Sequence, residues 1–346
     1  MESVFRVIHS CTKHAGKGLI NAARGVNILN SIQRRATFSS LEKEIATFRP
    51  RRSLLFVPAD DRKKINKASN LQADCIVLEC EDGVAMSQKD VARKNINELL
   101  GNIELKYGEC AVRVNSVDSG LVLEDIEAAL TGKTLPESIL LPKVESSDQI
   151  KWFADQVNRV LMKRSTNPEK KMAFIFFIET PIAILNMRYI MEAAVDATLP
   201  FKTEAGVFGS DDFLASLGGT RTEDARELIF ARQSFVTHCK AFGLQAIDMV
   251  HINFKDLESL KRHAEEGAKM GFTGKQLIHP GQIEVVNSAF MPSANKIQWA
   301  QELIKSFGEH ESSGKGAFTF RGSMIDLPLL KQAQNILRIV ESVKNK

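Results

Sequence analysis

The sequence predicts an α/β protein built as a (β/α)8 TIM barrel with a C-terminal helical extension and arm. Three observations carry that expectation. Eight short apolar runs recur after residue 50, the segments between them have helical spacing, and nearly every run ends in a charged or amide residue. Near-continuous hydrophobicity is the pattern of parallel strands buried on both faces. In a closed parallel barrel the C-terminal strand ends gather at one mouth, where active sites are built.

The first run is "SLLFVP" (53–58), which leads into Asp60 and Asp61. Next come "DCIVLECEDG" (74–83), with Glu79, Glu81 and Asp82 at its end, and "CAVRVNS" (110–116), carrying Arg113 and Asn115. "SILLPKVE" (138–145) ends in Lys143 and Glu145, and "AFIFFIET" (173–180) ends in Glu179. "AGVFGSDDF" (205–213) ends in Asp211 and Asp212, "AIDMVHINF" (246–254) follows, and "FTGKQLIHP" (272–280) carries His279. Helical spacing is plain over 147–162 and 223–242. An open doubly wound sheet is the competing fold. It would place a glycine-rich turn after its first strand, and "FVPADDRKK" is not one.

The barrel is expected over residues 50–290, and residues 291–346 continue beyond it. "MPSANKIQWAQELIKSFGEH" has helical spacing, and "ESSGKGAFTFRGSMIDLPLLKQAQNIL" is Gly-rich, partly apolar and carries the isolated acid Asp326. Such a segment is too apolar for a free tail and reads as an arm on this subunit's mouth or on a neighbour's.

Composition bounds the function. The chain has 346 residues, 44% hydrophobic and 25% charged, enough to bury a sizeable core. No stretch reaches the roughly 18 uninterrupted apolar residues that a membrane helix needs. The five cysteines form neither a CxxC pair nor a zinc-like spacing and read as reduced, buried thiols. The net charge of +4 is concentrated in residues 1–41, where Arg6, Lys13, Lys17, Arg24, Arg34 and Arg35 face the single acid Glu2. The remainder is close to neutral, which argues against a nucleic-acid partner. Basic, Ser-containing and almost free of acids, residues 1–41 have the composition of a mitochondrial transit peptide.

Glu179 and Asp212 fall at the ends of strands that would be neighbours, where two carboxylates can share a hard cation such as Mg2+. A surface acid favoured by a helix N-terminus is the plainer reading of Glu179 alone. Arg113, flanked by apolar residues, needs either a substrate oxyanion or a protein acid such as Glu79. Lys63 and Lys67 lie four apart on one helix face, either solvated or facing a phosphate-bearing ligand. His279 has no Ser or Cys partner in a triad-like context and reads as a structural hydrogen-bonding residue. No GxSxG, Walker A or HExxH motif is present.

Taken together, "LLFVPADDRKKINKA", "VLECEDGVAMSQKDVAR", "VRVNS", "LPKVES", "FIETPIAILN", "VFGSDDFLASLG", "GFTGKQLIHPGQI" and "GKGAFTFRGSMIDLPLLKQAQ" resemble the citrate lyase beta subunit-like family of the aldolase superfamily. The resemblance runs in order from about residue 50 to the C-terminus. It implies a homotrimer of barrels that uses Mg2+ and a CoA thioester in mitochondria. The implied reaction breaks or forms the bond between an acyl-CoA α-carbon and a 2-oxo acid, either citramalyl-CoA giving acetyl-CoA and pyruvate, or a malyl-CoA lyase or malate synthase-type reaction with glyoxylate. A non-catalytic CoA-binding subunit is the reading from another class. Carried over by position, Glu179 and Asp212 are the metal ligands and Arg113 binds substrate oxygens. Phe56, Lys63 and Lys67 contact CoA or substrate, and Asp326 is the acid/base, reaching a neighbouring subunit's site. This chain departs from the family pattern at Gly209–Asp212, at Pro181 and Ala183, and at Phe56, and Ala183 is expected to reshape the 2-oxo acid pocket.

Overall fold

The computed structural model describes residues 48–103, 105–164, 171–312, 318–325 and 327–344. The basic segment 1–41 therefore lies outside the described residues. Eight parallel strands close into a barrel in chain order: β1 (Ser53–Pro58), β2 (Cys75–Glu79), β3 (Glu109–Arg113), β4 (Ser138–Leu141), β5 (Ala173–Ile178), β6 (Lys202–Phe208), β7 (Gln245–Asp248) and β8 (Gly274–Leu277). Between them run α1 (Arg62–Ala68), α2 (Lys89–Leu99), α3 (Val122–Thr131), α4 (Ser147–Leu161), α5 (Pro181–Ala194), α6 (Ser210–Leu217), α7 (Ile229–Ala241) and α8 (Leu257–Met270). α9 (Ile283–Ala289) follows the last strand.

Alternation along each strand separates two cores. Leu54, Val77, Ala111, Ile175, Phe177 and Val207 point into the barrel, while Leu55, Val57, Phe174 and Phe176 pack under the helices. Extending the inward set by two residues reaches Phe56, Glu79, Arg113, Glu179 and Gly209, the upper layer of the barrel. Its floor is polar. Fully buried Arg51 ion-pairs with Glu109 and reaches Ser138 Oγ at 3.3 Å and Glu204 Oε2 at 2.8 Å.

Each of the eight apolar runs contains a strand as expected, but the sixth differs at both ends. β6 starts at polar Lys202, because Glu204 supplies a carboxylate to Arg51. It ends at Phe208, and the acidic doublet opens α6 with Gly209 as N-cap.

The C-terminal segment is more regular than a Gly-rich arm. α10 (Ala294–Ser312) and α11 (Leu327–Lys344) pair with each other, and between them β9 (Thr319–Phe320) and β10 (Ser323–Met324) form a short antiparallel hairpin. These elements share their own apolar cluster around Ala300, Leu303, Phe318 and Ala333. Trp299 and Ile336 line a cavity with Arg51, Gln245 and Thr273, residues at the N-terminal ends of the strands. The helix pair thus docks beside the floor of its own barrel, away from the mouth.

Candidate active site

The mouth is built by the inward upper layer and by the turns that leave β2, β4 and β6. Arg113 ends β3 opposite Glu79 in register. Its Nε donates to Glu79 Oε2 at 2.5 Å and its Nη1 lies 2.9 Å from Glu81 Oε2. The guanidinium packs on two rings, 4.8 Å from the Phe56 centroid and 5.5 Å from that of Phe177. Ion pairs and cation–π contacts together explain how a largely enclosed, partly buried cation persists here. The protein acid expected as a partner of Arg113, Glu79, is in contact with it.

Glu179 follows β5 and is 4% exposed. Burial pushes its carboxyl up to about 8, reinforced by the like charges of Glu81 and Asp212 and opposed by Arg113 and the Lys143 N–H. Lys143 N donates to Glu179 Oε2 at 2.8 Å. Gly209, facing inward from the end of β6, makes room for this carboxylate: a Cβ there would stand 2.2 Å from Glu179 Oε1 and 2.4 Å from its Cγ. Only glycine fits that close approach.

Asp212 lies in the first turn of α6, partly exposed at the rim. Burial raises its carboxyl against the pull of Lys143, with Asp82 adding like charge. Lys143 Nζ is 2.8 Å from Glu81 Oε1, 3.3 Å from Asp82 Oδ1 and 3.9 Å from Asp212 Oδ2. Asp211 turns elsewhere and pairs with Arg221 at 3.1 Å.

The structure thus brings together Phe56, Arg113, Glu179 and Asp212. Lys63 and Lys67 stand apart on the exposed face of α1, at the rim beyond β1. Asp326 lies outside the described residues. Ala183 stands four residues after Glu179. It is fully buried in the first turn of α5, among the residues packed under the helices. His279 has the structural role expected: its Nδ1 accepts from Gly281 N at 3.1 Å and caps the turn after β8. Sequence reasoning missed the parts of Lys143 and Glu81, although both stand among the polar residues at strand ends.

Among the described residues no group of three or more His, Cys, Asp or Glu side chains is arranged to hold a metal ion. Mg2+ needs no such group, since it takes one or two carboxylates and fills its shell with water and substrate oxygens. A carboxyl whose charged form is disfavoured by burial and by the acids beside it, next to a second acid at the rim, is a donor set that a divalent cation would relieve. The residues present therefore fit the ion.

Residues 52–280 match the family described as HpcH/HpaI aldolase/citrate lyase. The mitochondrial citramalyl-CoA lyase of Homo sapiens is 50% identical over 299 residues, 86% of this chain and 87% of that protein. The structure of protein CitE from Mycobacterium tuberculosis in complex with magnesium, acetoacetate and coenzyme A is similar with a TM-score of 0.64 and 30% identity, covering 84% of this chain and 97% of that one. The same protein in complex with magnesium and pyruvate gives a TM-score of 0.58 at 28% identity, over 83% of this chain and 98% of that one. With the barrel, the acidic mouth and these similarities in agreement, the chain belongs to the HpcH/HpaI aldolase/citrate lyase family.

Proposed function

We propose that this protein is a Mg2+-dependent carbon–carbon lyase that cleaves citramalyl-CoA to acetyl-CoA and pyruvate, and can run the malate synthase-like condensation in reverse. The observation that carries the reading is the convergence, at one barrel mouth, of buried Glu179, rim Asp212 and the ring-packed Arg113. The named activity of the human relative supports citramalyl-CoA as substrate.

Glu179 and Asp212 would hold the ion, which when bound supplies Lewis-acid stabilisation of charge on the substrate's oxygens. In the reaction the bond between the hydroxyl-bearing carbon and the thioester α-carbon breaks, and the hydroxyl proton passes to solvent as the C–O bond becomes the ketone. The bonding electron pair passes to the thioester enolate, which takes up one proton at its α-carbon. Arg113 uses Nε and Nη1 on protein acids and offers its remaining N–H donors to substrate oxygens that gain charge. Asp326 delivers the proton to the α-carbon, and in the condensation direction removes it. Lys63 and Lys67 place two exposed ammonium groups at the rim for the CoA phosphates, and Phe56 positions Arg113 beside the substrate.

The assembly is a homotrimer with Asp326 serving a neighbouring mouth, in the mitochondrial matrix after removal of the basic N-terminal segment. Two features support the association. The helix pair that flanks residue 326 docks beside the floor of its own barrel. On α5, Ile182, Leu185 and Tyr189 form one exposed apolar face, continued by Leu217 and Phe230 on the contacting helices α6 and α7. The mitochondrial names of the relatives support the location.

The test is an assay of purified protein against citramalyl-CoA and malyl-CoA, with and without Mg2+. Pyruvate release that requires Mg2+ and is lost in Asp326→Ala, with circular dichroism unchanged, is the expected result. Full turnover in Asp326→Ala would sink the acid/base role, and faster glyoxylate release from malyl-CoA would replace the substrate.

A further inference from the structure

Lys143 follows β4 in "LPKVES" with φ +53, the left-handed backbone region. For a residue with a side chain that conformation brings Cβ close to the following carbonyl oxygen and is disfavoured, so the surrounding contacts must hold it there. They do so from both ends of the residue. The backbone N–H binds Glu179 Oε2 at 2.8 Å, and the ammonium sits among Glu81, Asp82 and Asp212 at 2.8, 3.3 and 3.9 Å. Among the described residues, Lys143 is the only cation within ion-pair distance of Asp82 or of Asp212. The residue is also only partly exposed, so its charge is not simply solvated.

Two jobs are therefore joined in one residue. The backbone fixes the orientation of one carboxylate assigned to the metal. The side chain neutralises the other assigned carboxylate, together with two acids beside it. A divalent ion drawn to Asp212 would meet a positive charge already within 4 Å of the same oxygen. The ion and the ammonium attract the same carboxylates and repel each other.

We propose that Lys143 is the internal counter-cation of the metal site. Its ammonium occupies the carboxylate cluster when Mg2+ is absent and competes with the ion for it, which holds the mouth together and keeps intrinsic Mg2+ affinity low. The proposal rests on the assignment of Glu179 and Asp212 as metal ligands. It makes Lys143 a positioning residue that acts through these carboxylates.

The test is calorimetric titration of full-length protein with Mg2+ alone, at low ionic strength, with no substrate. Lys143→Met removes the charge and keeps bulk. Lys143→Gly removes the charge, keeps the N–H and relieves the left-handed backbone, so it guards against loss of folding. Both variants are expected to bind Mg2+ about ten-fold more tightly than wild type, the order expected for removing one positive charge near a divalent ion in a partly solvated site. The gain should shrink in high salt. The metal-free variants should melt at lower temperature, and saturating Mg2+ should raise their melting temperature by more than it raises that of wild type. A merely structural lysine would weaken binding when removed. Unchanged or weaker affinity in the folded variants overturns the proposal alone. Absence of Mg2+ uptake by wild type and by both folded variants overturns the metal assignment, and this proposal with it.

Discussion

Asp211 and Asp212 are adjacent in sequence and different in environment. Because they open a helix rather than close a strand, they point about 100° apart and not to opposite faces. Asp211 is committed to Arg221 and Asp212 faces Lys143. Asp212→Asn should therefore weaken Mg2+ binding by more than about ten-fold, the loss seen even for groups that only orient a metal ligand. Asp211→Asn should change it by less than about three-fold, in keeping with an exposed ion pair. Equal losses in a metal titration of the two variants would reverse the assignment of the doublet. Gly209 offers a second check at this scale. Gly209→Ala would drive a methyl into the Glu179 carboxylate, so it should lose about 1–3 kcal/mol of stability and most Mg2+ uptake. Thermal melts and metal titration of that variant would read both effects.

At the scale of elements, the loops that leave the strands are held by the helices that follow them. α4 begins with a complete capping box: Ser146 Oγ accepts from Gln149 N at 3.3 Å, while the Gln149 side chain binds back to the cap backbone. This cap ends the same turn that carries Lys143. Ser146→Ala should cost about 1 kcal/mol, seen as a modest drop in melting temperature. On α5 the apolar positions point both ways. Met187, Ile190 and Met191 fill the core, while Leu185 is 76% exposed. If that outer face joins subunits, Leu185→Glu should shift the protein towards monomer in light scattering, and an unchanged mass would exclude the face as the interface.

For the whole molecule, the barrel separates two buried charge clusters that differ in balance. At the floor, burial acts to raise Glu109 but Arg51 and Arg49 outweigh it, holding the carboxyl down at about 2. At the mouth the acids outnumber their cations, and Glu179 moves the other way. A depressed carboxylate contributes stability that is fully present above its unfolded value near 4.5 and is lost as pH falls towards 2. The shift corresponds to roughly 3 kcal/mol. Glu109→Gln, which also leaves Arg51 without its main partner, should lower the urea midpoint strongly at pH 7. The gap from wild type should close progressively below pH 4.5. A gap that stays constant on acidification would mean that the pair contributes through shape and not through charge.

Much of this was legible in the chain. Strands buried on both faces must be apolar throughout, so eight runs and their polar ends announced a closed barrel with one functional mouth, and the family motifs singled out Glu179, Asp212 and Arg113. Period two could not say where β6 begins, because Glu204 is drawn into the sheet by Arg51, 153 residues away in sequence. Nor could it foresee that the acidic doublet is helical, that Ala183 is core, or that the Gly-rich arm continues into α11. The sequence by itself determined which residue types stand at the strand ends. Only the tertiary structure decided which charges face one another, because Lys143, Glu81 and Asp212 come from three separate turns. Their pairing is set by barrel closure, which no local pattern encodes.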